Sequence, residues 1–188
     1  MIKLITQSLR HLLLWTVITG LAYPVVITVL AQLAFAKPAN GSLVERNGKL
    51  VGSARLAQQF QGINYFWPRP SSATYATVPS GASNLGPTSG AQYTNVLNNL
   101  AAFRSGNNLA TNAPVPADMV YASGSGLDPD ISPAAADRQA ARVAAARGLS
   151  VDQVRSLIAQ STQAPQLGFL GEPRVNVLLL NLALDSTK

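Results

Sequence analysis

Two carboxylates spaced two residues apart are the main candidates in this sequence for holding a cation or a basic partner. Asp128 and Asp130 lie in the stretch ASGSGLDPDISP, residues 122–133. Ser132 as N-cap and Pro133 at the first helical position predict a helix start there. A turn followed by a capped helix explains the stretch without a ligand. The alternative is a site for a cation or a basic partner, although two carboxylates are too few for a tight calcium site.

An aromatic and proline-rich stretch, NYFWPRPS at residues 64–71, contains the second candidate group. A residue that precedes proline avoids the helical region, so we expect Trp67 and Arg69 to be extended. One interpretation places the aromatic rings in the core and pairs Arg69 with a carboxylate. The other makes Trp67 and Arg69 a rigid docking ridge, because Trp and Arg are enriched at interface hot spots.

The remaining polar candidates lie in segments that the sequence predicts to be loops. Residues 71–90 are rich in Ser, Thr, Gly, Pro and Ala, which is typical of a loop. The Asn84 amide in this loop either stabilises a turn or faces a ligand or partner. Residues 166–174 form a second predicted turn segment, and this segment carries Glu172 and Arg174.

The sequence lacks the residues that many enzyme mechanisms require. It contains no cysteine and a single histidine, His11, which excludes thiolate catalysis, disulfides and a Ser-His-Asp triad in the domain. No Gly-x-x-x-x-Gly-Lys-Ser/Thr phosphate loop is present. We therefore expect no catalytic residue, no metal-ligand set and no bound cofactor, and the sequence assigns no nucleotide-binding residue. The formal charge of +6 is spread thinly, which argues against a nucleic-acid partner.

An uncharged apolar stretch, residues 12–36, is the element that must position the rest. A helix of about 20 apolar residues crosses a bilayer, so the stretch predicts a transmembrane helix. A cleaved secretory signal is the alternative, but the stretch exceeds the usual apolar region of about 7–15 residues. Lys3 and Arg10 in the short tail favour a cytoplasmic tail over residues 1–11 and an extracytoplasmic domain over residues 37–188.

The sequence predicts that this domain is of the α+β class. Asn47-Gly48 between two short apolar runs predicts a β-hairpin. Helices are predicted over residues 91–104, 133–147 and 151–163, and a short buried strand over residues 115–121. The final apolar stretch, residues 175–184, favours a strand, with a helix as the alternative. The expected fold is therefore one transmembrane helix followed by a single mixed domain with a hairpin, helices and a C-terminal strand.

Several motifs, taken in order, resemble the C subunit (KdpC family) of the bacterial Kdp potassium-transporting P-type ATPase. They include the Tyr65-Phe66 pair, Arg69-Pro70-Ser71, and the stretches SNLGP at residues 83–87, ASGSGLDPDISP at 122–133 and GEPRVNVL at 171–178. The resemblance covers nearly the whole chain. The 122–133 and 171–178 stretches are its most specific parts.

The resemblance implies a non-catalytic accessory subunit of a high-affinity, ATP-driven potassium import complex in the bacterial inner membrane. It implies three protein partners besides membrane lipid: a channel-like potassium-binding subunit, a P-type ATPase subunit and a small stabilising subunit. It also implies a role in assembly and a proposed role as a catalytic chaperone that raises the ATP affinity of the ATPase subunit. Potassium and ATP are used by the complex. We expect Asp128, Asp130 and Glu172 to attract the cation or to pair with a partner.

The residues alone leave a second hypothesis open. A stand-alone, membrane-anchored exterior binding or sensor protein would also have one apolar helix and a domain without catalytic residues. Behaviour after extraction separates the two hypotheses, because an accessory subunit is recovered with its partners and a sensor is recovered alone.

Overall fold

The computed structural model describes residues 1–187 of the 188-residue chain. The chain divides into two compact units, Met1–Leu43 and Val44–Lys188. The predicted topological division into residues 1–11, 12–36 and 37–188 concerns the membrane and stays a prediction.

The N-terminal unit is helical over most of its length. It comprises α1 (Ile2–Val17), a π-helical segment (Ile18–Ala22), α2 (Tyr23–Ala34) and the short α3 (Ala36–Ala39). The widened segment lies one turn before Pro24, where the proline ring would clash with the preceding carbonyl of a regular helix. The 33-residue stretch Ile2–Ala34 is long and apolar enough to cross a membrane. The helix thus begins at Ile2, well before the predicted start at residue 12.

The second unit is an α+β fold that contains four α-helices and two small sheets within the described residues. β1 (Leu43–Arg46) and β2 (Lys49–Ser53) form the first sheet, and α4 (Gly90–Gly106) and a 3₁₀ turn (Ala117–Met119) follow. The remaining elements are β3 (Asp130–Ile131), α5 (Pro133–Arg147), α6 (Val151–Ser161), β4 (Thr162–Gln163), β5 (Arg174–Asn176) and α7 (Val177–Leu184). β5 is the central strand of the second sheet and pairs antiparallel with β3 and β4.

Local signals in the sequence place most of these elements correctly. Asn47 and Gly48 adopt φ values of +52° and +73°, as a two-residue hairpin turn requires. The Ser132 hydroxyl accepts a hydrogen bond from the Ala135 amide and caps α5, and Gly148 ends that helix in the left-handed conformation. Ser150 and Gln153 form a capping box at the start of α6. The predicted hairpin and the predicted helix starts at Pro133 and Val151 are therefore confirmed.

Two secondary-structure predictions are wrong. The predicted C-terminal strand ends at Asn176, because the Asn176 side chain accepts a hydrogen bond from the Leu179 amide and caps α7. The stretch is apolar apart from Asn176 and Asn181, which are too few polar residues to distinguish a period of 2 from a period of 3.6. The predicted strand at residues 115–121 is instead the 3₁₀ turn Ala117–Met119, where the Asp118 carboxylate accepts from the Ser132 amide.

The core of the second unit lies where α5, α6 and α7 pack on β5. The side chains of Val143 in α5, Val154 in α6 and Leu180 in α7 are almost completely buried there. One residue outside the regular elements, Phe66, is also fully buried in this cluster. The stretch NYFWPRPS is thereby fixed to the core.

Candidate functional site

The segment that carries Trp67 lies outside the regular elements, and side chains hold it rather than a neighbouring strand. The Asn181 side chain of α7 accepts from the Phe66 amide at 2.8 Å and donates to the Phe66 carbonyl at 3.0 Å. Gln139 of α5 accepts from the Trp67 amide at 2.8 Å and donates to the Trp67 carbonyl at 3.3 Å. Since buried backbone groups must be paired, these two side-chain amides allow Phe66 to enter the core.

Arg142 of α5 fixes the same segment from its other end. Its Nη1 donates to the carbonyls of Ile63 at 2.5 Å and Tyr65 at 2.9 Å, and its Nε donates to Asn107 Oδ1 at 2.8 Å. The guanidinium also stacks over the Trp67 ring, 4.0 Å from the ring centroid. Burial lowers the pKa of the Arg142 guanidinium to about 10, so it stays protonated at neutral pH. Trp67 is therefore held on its Arg142 side by a cation–π contact.

The structure brings four of the sequence-selected residues together in one group, which we call the charge cluster: Arg69, Asp128, Asp130 and Arg174. Arg69 Nη1 contacts Asp128 Oδ2 at 2.7 Å, and Arg174 Nε contacts Asp130 Oδ2 at 3.1 Å. The Asp130 amide donates to Asp128 Oδ1 at 3.1 Å, which joins the two ion pairs. The contact between Arg69 and Asp128 confirms the interpretation in which Arg69 pairs with a carboxylate.

The Asp130 carboxyl of the charge cluster is partly buried. Burial raises the pKa of the Asp130 carboxyl and the nearby Asp128 charge adds to this, while a hydrogen bond from Asn176 and the charges of Arg174 and Arg55 oppose it. The Asn176 side-chain Nδ2 donates to Asp130 Oδ1 at 3.1 Å and to the Ala54 carbonyl at 2.9 Å. The cluster is therefore tied both to β5 and to the chain that follows the hairpin.

The remaining two candidates lie apart from the charge cluster. Glu172 and Asn84 are exposed, and within residues 1–187 no hydrogen bond or ion pair joins either of them to the cluster. Asn84 adopts a φ of +54°, a conformation that asparagine tolerates well in turns. The Asn84 conformation supports a turn role, and its ligand role stays a prediction.

The chemistry of the charge cluster suits a protein surface better than a cation site. Across residues 1–187, no three His, Cys, Asp or Glu side chains are grouped so that they could hold a metal ion. Arginines contact one oxygen of each cluster carboxylate at 2.7 and 3.1 Å, which reduces the field available to a bound cation. Half-buried ion pairs of this kind present fixed donors and acceptors to a partner.

An apolar groove of about 500 Å³ opens beside Trp67. Its walls are mostly aromatic, proline and methionine side chains: Phe60, Trp67, Pro68, Pro70, Tyr75, Phe103 and Met119. A polar recess of about 300 Å³ adjoins the groove at Pro70 and Asn99 and is lined mainly by serine, asparagine and glutamine side chains. Both lie between the aromatic segment and α4, so Trp67 contributes a wall to the groove as well as a contact to Arg142.

Comparison with known proteins decides the family. The family model described as "K+-transporting ATPase, c chain" (KdpC) matches residues 5–186. This chain belongs to the KdpC family. A protein of Methylococcus capsulatus named potassium-transporting ATPase KdpC subunit is 51% identical, with 100% of each chain covered. Proteins with the same name are 52% identical in Mycobacterium tuberculosis, with 95% of each chain covered, and 50% identical in Sorangium cellulosum, with 100% of each covered.

Sequence reasoning missed the residues that hold the site of this KdpC-family chain in place. Gln139, Arg142 and Asn181 looked like ordinary helix positions, because their partners on the aromatic segment are main-chain atoms between 72 and 115 residues away in sequence. Three buried polar residues inside otherwise apolar helical faces were the available signal. Buried polar side chains need partners, and each of these finds its partner on the aromatic segment.

A second ion-paired centre of the KdpC-family domain was also missed. Asp185 contacts Arg46 Nη1 and Arg147 Nη2, each at 2.6 Å, and accepts from the Tyr65 hydroxyl at 3.3 Å. Burial alone would raise the pKa of the Asp185 carboxyl, but the hydrogen bonds and charges of the two arginines hold it below its usual value. The centre joins the hairpin, α5 and the end of α7.

Proposed function

We propose that this chain is the accessory C subunit of a bacterial potassium-transporting P-type ATPase complex. The observation that carries the proposal is the family match over residues 5–186, together with relatives of the same length named as subunits of that ATPase. Its partners in the complex are a channel-like potassium-binding subunit, a P-type ATPase subunit and a small stabilising subunit. The chain itself contributes no catalytic group.

The proposed topology has residues 1–11 in the cytoplasm, the transmembrane helix over residues 12–36 and the domain of residues 37–188 outside. The apolar helix Ile2–Ala34 and the basic residues of the tail support it. Because the chain has no cysteine, Gln7→Cys and Thr111→Cys each give a single labelling site. A membrane-impermeant maleimide should label the Thr111→Cys variant in intact spheroplasts. It should label the Gln7→Cys variant only after permeabilisation. The reverse pattern would contradict this topology.

The proposed role of the domain is to dock on the channel-like subunit through the charge cluster and Trp67. Two features support this role. Arg and Trp are the residue types that most often dominate binding energy at interfaces, and here both side chains are already fixed by Asp128 and Arg142. Glu172 is an exposed acidic residue two positions before Arg174 of the charge cluster. We assign Glu172 to attracting potassium or pairing with a partner.

Any effect on ATP affinity is proposed to be indirect. ATP is cytoplasmic, and the sequence carries no phosphate-binding loop. We infer that docking of the outer domain biases the ATPase subunit through the transmembrane helix, which is the part of this chain that would pass through the bilayer. Equilibrium dialysis of ATP against the isolated chain should therefore show no binding at cellular ATP concentrations.

The deciding experiment is a pull-down of the tagged chain in mild detergent, followed by an assay of potassium-stimulated ATP hydrolysis. Asp128→Asn removes the carboxylate partner of Arg69, and Asp137→Asn is the matched control because Asp137 makes one ion pair of the same 2.7 Å length, with Arg155. We expect wild type and the control to recover the partner subunits and Asp128→Asn to recover several-fold less. Recovery of the wild-type chain alone, from cells that express the other subunits, would overturn the proposal in favour of a stand-alone exterior binder.

A further inference from the structure

The turn between β4 and β5 exposes three large apolar side chains at neighbouring positions. Leu167, Phe169 and Leu170 are 85%, 77% and 56% exposed. We call these residues, with Gly168 between them, the 167–170 tip. Scattered exposed apolar residues are ordinary on protein surfaces, whereas a contiguous group of them indicates an interaction surface. The tip therefore needs a covering partner that residues 1–187 do not supply.

The 167–170 tip is held in one backbone conformation. The Gln166 amide donates to the Leu170 carbonyl at 2.9 Å, and the Leu170 amide donates to the Gln166 carbonyl at 2.8 Å. Leu167 and Gly168 adopt φ values of +54° and +83°, and positive φ is uncommon for a bulky residue such as leucine. Because the turn is closed by its own hydrogen bonds, little backbone conformational entropy is lost when the three side chains are buried.

We propose that the 167–170 tip inserts into the interfacial layer of the bilayer that the N-terminal helix crosses. The proposal rests on the membrane anchoring proposed above, but not on the side that the domain occupies or on any partner subunit. The apolar helical stretch ends at Ala34, the short α3 follows it, and the second compact unit begins at Val44. The connecting residues 35–43 span at most about 30 Å even when extended, and a domain of this size has a radius of gyration of about 15 Å.

This tether makes a lipid contact effective even if it is weak. A short tether keeps the attached group at a high effective concentration, on the order of millimolar, near its target. The same domain released from its anchor would meet the bilayer only by diffusion. A small apolar tip is therefore sufficient to orient the anchored domain, although it would not bind a free domain to membranes.

The composition of the tip fits lipid better than an ionic partner. Residues 163–171 contain no charged side chain, so insertion requires no charge to leave water. Phenylalanine and leucine are the residue types that segments lying in the membrane interface bury among the acyl chains. Because no charge takes part, insertion should not depend on anionic lipid and should persist at high salt.

The absence of cysteine allows a direct test on the full chain. Phe169→Cys and, as control, Ile63→Cys are labelled with an environment-sensitive fluorophore. Ile63 is an exposed apolar residue outside the tip. Each protein is reconstituted alone into phosphatidylcholine vesicles, with and without lipids that carry a quencher on the acyl chain. We expect several-fold stronger quenching and a blue-shifted emission at position 169 relative to position 63, unchanged in 0.5 M salt.

The outcomes separate this proposal from the proposed function. Failure of the wild-type chain to float with vesicles would refute the anchoring itself. Flotation with equal quenching at positions 169 and 63 would overturn the lipid contact and leave the accessory-subunit proposal intact. Burial of position 169 only after extraction with the other subunits would assign the tip to a protein partner and also overturn the lipid contact. Thermal unfolding of Phe169→Cys should match wild type, because the side chain is exposed.

Discussion

Asn181→Ala is the change that most directly tests how the candidate site is held. Asn181 is 2% exposed and bonds both the amide and the carbonyl of Phe66, at 2.8 and 3.0 Å. Alanine removes both hydrogen bonds and leaves two main-chain groups without their partner inside the core. Phe66 is followed directly by Trp67, so the site is disturbed along with the core.

The expected loss follows from these contacts. Each buried polar group left unsatisfied costs about 1–3 kcal/mol, and alanine returns about 0.5 kcal/mol through its higher helix propensity. We therefore expect the free energy of unfolding to fall by about 3 kcal/mol. For a domain of this size that corresponds to a decrease in Tm of about 10 °C. Asn98→Ala in α4 is the matched control, because Asn98 is exposed and gains the same helix propensity.

The assay is urea unfolding of the full chain in mild detergent. Unfolding is monitored by the fluorescence of Trp67 in a Trp15→Phe background. The control should unfold at or slightly above the wild-type midpoint. Asn181→Ala should unfold at a clearly lower urea concentration with an unchanged slope, since the same surface is exposed. If Asn181→Ala and Asn98→Ala differed by less than about 0.5 kcal/mol, which is the range of surface substitutions, the hydrogen bonds to Phe66 would not be what holds the segment.

Three further substitutions test the surrounding contacts. Asp185→Asn should lower the free energy of unfolding by about 1–2 kcal/mol at pH 7, because it weakens two charged hydrogen bonds. Since the folded-state pKa of Asp185 is lowered, this difference from wild type should be complete above about pH 5 and should vanish as the pH falls through the lowered pKa. Urea unfolding at each pH measures the difference. Gly106→Ala should destabilise the domain although alanine favours helices, because the added Cβ would overlap the Trp67 ring; thermal unfolding and Trp67 emission measure this. Arg142→Lys should lower the urea midpoint and shift Trp67 emission, because one ammonium group cannot reach the contacts of a planar guanidinium; an unchanged emission spectrum would contradict the stacked geometry.

The parts of the fold that the sequence predicted are those whose signals are local. The hairpin turn at Asn47-Gly48 and the Ser132 and Ser150 caps each depend on residues within one turn of the chain. The C-terminal helix was missed because its decisive signal, the Asn176 side chain, serves β5 and α7 at once. An apolar run following a short strand satisfies both periodicities, so tertiary packing decides between them.

The candidate site was predictable in its residue types but not in its pairing. Asp128 and Arg69 were both selected from the sequence, yet they lie 59 residues apart and their contact could be stated only as pairing with some carboxylate. The contact between Asp130 and Arg174 crosses from β3 to β5 and depends on the register of the second sheet. The charges of Asp128 and Asp130 beside a turn and a helix cap could be recognised from the local sequence. Their pairing with the distant Arg69 and Arg174 could not.

The two prolines explain why helical side chains, rather than a strand, hold the aromatic segment. Pro68 and Pro70 have no amide hydrogen to donate, so a neighbouring strand would find its ladder interrupted at alternate positions. Asn181 and Gln139 instead meet the groups of Phe66 and Trp67 one by one, from helices that form the core. The position of Arg69 is therefore set by the packed helices and not by a mobile loop. A surface fixed in this way before binding loses little entropy when a partner covers it, which is the property that a docking subunit needs.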